Sequence, residues 1–218
     1  MKRYLSIFRM DASLMGVNFY FPWIILSLYA IGMGLYCRFG VMSYEPIAKV
    51  GEAALPFLGA WWSVFLLGMT FEEKGGEVLF TYPVSTFMIG VIRVVMYGVL
   101  YFAVLGMAFL MLRIMTGLLL VELLAQYIVQ SFFFAALGFF CIVMTRNSGI
   151  SLLILLAYDI AFHIGYEILP LSLNVFLLNP CPVPFHDLAV EILPKVIRMS
   201  AAFLILAHLR LDRLRAGA

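Results

Sequence analysis

Polar and apolar positions fall in blocks along this chain. Residues 12–37, 53–71, 94–112 and 123–145 carry no charged side chain. A helix that crosses the hydrocarbon of a bilayer needs about 20 predominantly apolar residues, so each block predicts a span. A fifth apolar block contains Asp159, His163 and Glu167. A sixth has Lys195 and Arg198 near its start, where long basic side chains can reach back to the interface. With their flanks, the predicted spans are 17–38, 53–71, 87–112, 120–145, 148–168 and 192–210. Between the last two lies the stretch LPLSLNVFLLNPCPVPFHD, apolar but broken by Pro170, Pro180, Pro182 and Pro184. Proline ends helices, and unpaired backbone is costly in lipid. This stretch therefore predicts a broken interfacial or re-entrant element before the last span. The expected fold is an all-α membrane protein, six transmembrane helices in one domain over residues 1–218.

Composition strengthens this picture. Of 218 residues, 65% are hydrophobic and 12% charged, against about a quarter charged in a soluble domain. Such a chain cannot cover itself with a water-facing surface. The net charge of +2 and the lack of a dense basic cluster give no reason to expect nucleic acid. Cys37, Cys141 and Cys181 are scattered without metal or redox spacing, so no metal site is expected. The first apolar block is too long for a signal-peptide core and lacks a small-residue cleavage site, so it is expected to stay as a span.

Lys and Arg near span ends set orientation. With the N-terminus in the cytoplasm, Lys2, Arg3, Arg9, Lys74, Arg146, Arg210, Arg213 and Arg215 fall inside, and Arg38, Lys49, Arg113, Lys195 and Arg198 outside. The expectation is a multi-pass protein of the cytoplasmic membrane with both termini cytoplasmic.

Two polar segments belong to the inner side. In MKRYLSIFRMDASLM, Tyr4, Ile7, Phe8, Leu14 and Met15 can face lipid while Lys2, Arg3, Arg9 and Asp11 face water. That pattern predicts an amphipathic helix on the membrane surface, and a charged flank that only sets orientation is the other reading. The segment FEEKGGEVLFTYPVS, residues 71–85, is the most polar in the chain. As a helix over 72–82 it puts Glu72, Glu73 and Glu77 on one face and Phe71, Val78, Leu79 and Tyr82 on another. Pro83 ends it, and Ser85 can cap the next helix. A plain solvated loop is the alternative.

This segment resembles the second intracellular segment of ABC-2 type transporter permeases. The matching residues are Glu72, Glu73, Lys74, Gly75, Glu77, Leu79, the Pro83-Val84-Ser85 turn and the basic Arg93 ten positions after the proline. The layout is similar as well, with an N-terminal interfacial helix, six spans and a broken element before the last. The doubled glycine at Gly75 and Gly76 and the short outer loops depart from the pattern. The resemblance implies a permease subunit that is not itself an enzyme, with residues 72–82 as the coupling helix seated in a separate ABC ATPase. ATP and Mg would then belong to that partner, and no cofactor to this chain, which has no GxxxxGK[ST] loop. A homodimer, or a heterodimer with a second permease, is implied by six spans. The apolar path suits export of a hydrophobic or amphipathic substrate such as a peptide antibiotic, a lipid or a drug.

Charged groups at membrane depth are costly and face a bundle interior or water. Asp159 and His163 share one helix face at i, i+4. They are candidates for lining a substrate path or relaying a proton, with a structural pair as the plain alternative. A proton-coupled secondary transporter built on them is the competing function. Arg93 is expected to carry a structural charge, reaching an acid of the coupling helix. Glu122 is expected to pair with Arg113 or to anchor the interface. Gly32, Gly34 and the AALG at 135–138 offer close helix packing, and SFFFAALGFF is expected to face lipid or a second subunit. An intramembrane protease is disfavoured. Its EExxxR motif would need arginine where Glu77 stands, and HExxH is absent.

Overall fold

The computed structural model describes residues 2–40, 44–72, 85–164, 173–177 and 182–216, and it is all-helical, with no strand among them. The helices are α1 (Lys2–Met15), α2 (Val17–Phe39), α3 (Tyr44–Glu72), α4 (Met88–Thr116), α5 (Val121–Thr145), α6 (Ser148–Ile164) and α7 (Leu193–Ala216). The first turn of α4, Met88–Ile92, is π-helical, and α7 is entered through the short helix Phe185–Asp187 and a π-helical turn, Leu188–Ile192. Four helices, α2 to α5, are long and apolar enough to cross a membrane. At 1.5 Å per residue, even the 23 residues of α2 reach about 35 Å, more than the hydrocarbon thickness of about 30 Å. The 17 residues of α6 are fewer than the 21 expected, and positions 165–168 lie outside the described residues.

α3 and α5 form the centre. Their apolar stretches are 61% and 67% buried, against 22% for α2 and 39% for α4, so the outer helices turn long apolar faces outward. On α2 that face includes Val17, Ile24, Leu28, Ile31 and Leu35, which is compatible with a membrane-embedded chain whose solvent there is lipid.

Small residues set the α3–α5 approach. A Cβ on Gly59 would stand 2.8 Å from the Ser131 carbonyl oxygen, and one on Gly138 would stand 2.9 Å from the Ala60 Cβ. With little hydrophobic drive between helices in lipid, such close backbone approach carries the association. The AALG expectation therefore holds at Gly138. Gly34 packs against the Met115 side chain, whereas Gly32 meets nothing within 4 Å, so its packing role is corrected. Phe133, Phe134 and Phe139 are fully buried inside the chain. SFFFAALGFF is thus largely core, because α5 is surrounded by α3, α6 and α7.

Tyrosine hydroxyls tie neighbours to the backbone of α3. Tyr29 on α2 donates to the Ile47 carbonyl and Tyr127 on α5 to the Ala48 carbonyl, each at 2.7 Å. Gly51 lies between them, where a Cβ would stand 2.6 Å from both hydroxyl oxygens. Tyr101 on α4 donates to the Leu55 carbonyl, and Trp62 donates through its indole N–H to the Phe19 carbonyl on α2 at 3.1 Å. Each carbonyl has a second lone pair for such a bond.

Connections are tight at two places. Gly117 ends α4 with a φ of 72°, the left-handed conformation that glycine tolerates. Arg146 ends α5 in the same region, and the Asn147 side chain then accepts from Ile150 N at 2.9 Å, capping α6.

Candidate functional site

Polar side chains concentrate at the two ends of the bundle. The first end carries α1, the end of α3, the start of α4, the start of α6 and the end of α7. Here Glu72, the last residue of α3, accepts a hydrogen bond from the Ser148 backbone N–H at the start of α6. Ser85 caps α4 through Met88 N at 3.3 Å, as its sequence position predicts. Thr86 donates to Asp212 on α7, which His208 approaches at 3.4 Å. The predicted coupling residues Glu73, Lys74, Glu77, Leu79 and Pro83 lie outside the described residues.

Arg93 does not reach a coupling-helix acid among the described residues. Its guanidinium forks onto the Asp11 carboxylate of α1, with Nε 3.0 Å from Oδ2 and a second bond from Nη2 to Oδ1. Asp11, expected to face water, is 1% exposed. Phe8 and Met15, expected to face lipid, turn inward as well. Met15 is buried, and Phe8 stacks on Tyr97 at 5.5 Å. The amphipathic face is thus rotated onto the bundle, because Arg93 offers a buried carboxylate a bidentate partner. Burial raises the Asp11 carboxyl above the ordinary aspartate range, against the opposing pull of the Arg93 hydrogen bond and charge. Removing one partner of such a pair leaves the other charge uncompensated.

The opposite end contains a buried polar cluster that charge-free blocks do not reveal. Glu52 is 1% exposed, a third of the way along α3. Its Oε1 accepts from Gln126 Nε2 at 3.0 Å, Gln130 Nε2 at 2.6 Å and the Leu177 backbone N–H at 2.6 Å. Gln130 also donates to the Val175 carbonyl at 3.0 Å. Tyr158 donates to the Leu173 carbonyl at 2.6 Å, and Lys195 donates to the Asn174 carbonyl. Phe176 N is held within the segment by the Asn174 side chain at 2.8 Å. Residues 173–177 are non-helical, with Val175 and Phe176 buried. Non-helical backbone needs hydrogen-bond partners from outside its own segment, and here side chains of α3, α5, α6 and α7 supply them.

Asp159 and His163 adjoin this cluster. His163 Nδ1 donates to the Asp159 backbone carbonyl at 2.9 Å and stands 3.7 Å from its carboxylate. The imidazole packs on Phe176 with centroids 4.5 Å apart. Asp159 Oδ1, His163 Nε2 and Gln130 Oε1 are buried without a hydrogen-bond partner. Glu167 lies outside the described residues. Glu122 makes no ion pair with Arg113 and stands instead beside Tyr44, at the start of α3. Among the described residues no group of His, Cys, Asp and Glu could hold a metal ion.

Sequence reasoning missed Glu52 because a charge was read as the edge of a span. The available signal was Gln126 and Gln130, two amides at i, i+4 on one face of an otherwise apolar block, which need a buried partner. No family model, no curated protein and no solved structure matches this chain.

Proposed function

We propose that the chain is the membrane subunit of an ATP-driven transporter of the ABC-2 type, coupled through residues 72–82 to a separate ATPase. The observation that carries the reading is mechanical. The polar insert is anchored on both sides to different helices, by Glu72 to the start of α6 and by Thr86 to Asp212 at the end of α7. One turn into α4, Arg93 adds α1. A partner that pushes on the insert therefore moves α3 and α4 together with α6, α7 and α1, which is what a coupling element requires. The two remaining spans of the reading are 148–168, of which α6 is the described part, and 192–210, which α7 covers from Leu193. The non-helical stretch before α7 stands for the re-entrant element. A hydrophobic or amphipathic substrate, exported by a homodimer or a pair of permeases, suits the apolar interior.

The test is a pull-down in mild detergent of wild type and of the double variant Glu73→Lys, Glu77→Lys. We expect an ATP-hydrolysing subunit with a phosphate-binding loop to co-purify with wild type and to be lost from the variant. Its absence under every detergent tested overturns the reading. The proton-coupled carrier then gains, supported by the unpartnered Asp159 Oδ1 and His163 Nε2.

A further inference from the structure

We propose that residues 173–177 are a releasable strap that closes the bundle opposite the termini, latched by Glu52 and Gln130, and that its release opens that end of the transport path. The inference rests on the reading of the chain as a transporter, whatever drives it.

The argument starts from where the backbone bonds go. A helix satisfies its own backbone, so it can shift as a body without losing bonds. This segment cannot. Its Leu173, Asn174 and Val175 carbonyls are bonded by Tyr158 of α6, Lys195 of α7 and Gln130 of α5, and its Leu177 N–H by Glu52 of α3. Four bonds reach four helices. Hydrogen bonds weaken steeply beyond about 3.2 Å, so a displacement of one helix by about an ångström strips the strap of a partner. The arrangement of the helices and the seating of the strap are one variable.

The latch is built around one oxygen. Glu52 Oε1 takes Gln126, Gln130 and Leu177 together, while the two N–H bonds of Gln130 divide between Glu52 and Val175. Gln130 thereby holds the strap from both sides. Asp159 Oδ1, His163 Nε2 and Gln130 Oε1 are buried without a hydrogen-bond partner, Asp159 Oδ1 standing 3.7 Å from His163 Nδ1. A structure meant only for rigidity leaves few such groups, whereas lifting the strap would give these three access to water or to a polar group of a substrate.

The experiment uses the full chain in sealed vesicles with Cys181→Ser and a reporter at Val175→Cys, a fully buried position. A membrane-impermeant maleimide is added on the side of the strap, and Leu173→Cys, about half exposed, serves as the open reference. Cys37 and Cys141 are buried. We expect the Val175 reporter to label far more slowly than the reference, and Gln130→Met to speed it by about tenfold, equivalent to about 1.4 kcal/mol. Lys195→Met, at a half-buried position, should do so to a smaller extent. If Gln130→Met does not elute as a monodisperse protein, Lys195→Met decides. Labelling unchanged by the folded latch variants, or a Val175 reporter as fast as the reference with the latch intact, overturns the proposal. No ATPase or substrate is involved, so this result and the pull-down can fail separately.

Discussion

The two ends of the bundle handle polar groups in opposite ways. At the end bearing the termini, contacts are pairwise and partly open, as with Thr86 and Asp212, whose side chain is 48% exposed. At the opposite end a single carboxylate oxygen, almost wholly buried, serves three donors and holds a non-helical segment in place. Water can replace a lost partner at the first end and cannot at the second. The first end therefore tolerates rearrangement of its contacts one at a time, and the second holds a contact that is either made or broken as a unit.

The sharpest way to break this contrast is Glu52→Ala. It leaves Gln126, Gln130 and the Leu177 N–H without their acceptor, and we expect a loss of about 3–5 kcal/mol, read as a large fall in the thermal midpoint in detergent. A small change would mean that the cluster is wet. The Asp11–Arg93 pair tests the border between the two regimes. Asp11→Ala should cost about 3 kcal/mol because it strands a largely buried guanidinium, while the double variant Asp11→Leu, Arg93→Leu should recover most of it. A double-mutant cycle on the same midpoint gives the coupling, and additive losses would show that the pair is solvated. The smallest effects belong to the open end. Glu72→Ala removes one of the two side-chain acceptors at the start of α6, leaving Asn147 in place, for about 1 kcal/mol, and Thr86→Val should change stability by about 0.6 kcal/mol, the usual size for a hydrogen bond between helices in a membrane. Larger losses there would erase the difference between the ends.

Much of the fold was legible because hydrocarbon imposes a simple ruler. The four charge-free blocks coincide with α2 to α5, and Ser85 announces the cap of α4. The ruler fails where a charge is buried with partners. Glu52 and Asp11 look like boundaries or surface residues in sequence, yet each has found donors that only the folded bundle brings within reach: Gln126 and Gln130 from 74 and 78 positions away, and Arg93 from 82. The helix of the second predicted span begins at Tyr44 rather than at residue 53, since Glu45, Lys49 and Glu52 are all helical, the first two exposed and Glu52 buried. Arg93 was recognised as a structural charge, but its partner lay on a helix whose polar face was assigned to water. The Phe-rich block of α5 was assigned outward because composition alone does not say which apolar helix is central. The small residue Gly138 on that helix, which allows close approach from α3, is the better guide.

The notch at Gly51 limits how the bundle can move. Successive helical carbonyls point about 100° apart around the axis, so the bonds from Tyr29 to Ile47 and from Tyr127 to Ala48 grip α3 from two directions. Torsion of α3 about its own axis would break both, and the hydroxyls packed over Gly51 block the swing in between. That removes one degree of freedom from three helices together: α2, α3 and α5 turn as a single rotor or not at all. The grip lies about one turn from Glu52, so any rotation of α3 at the height of the buried cluster is shared with its two neighbours.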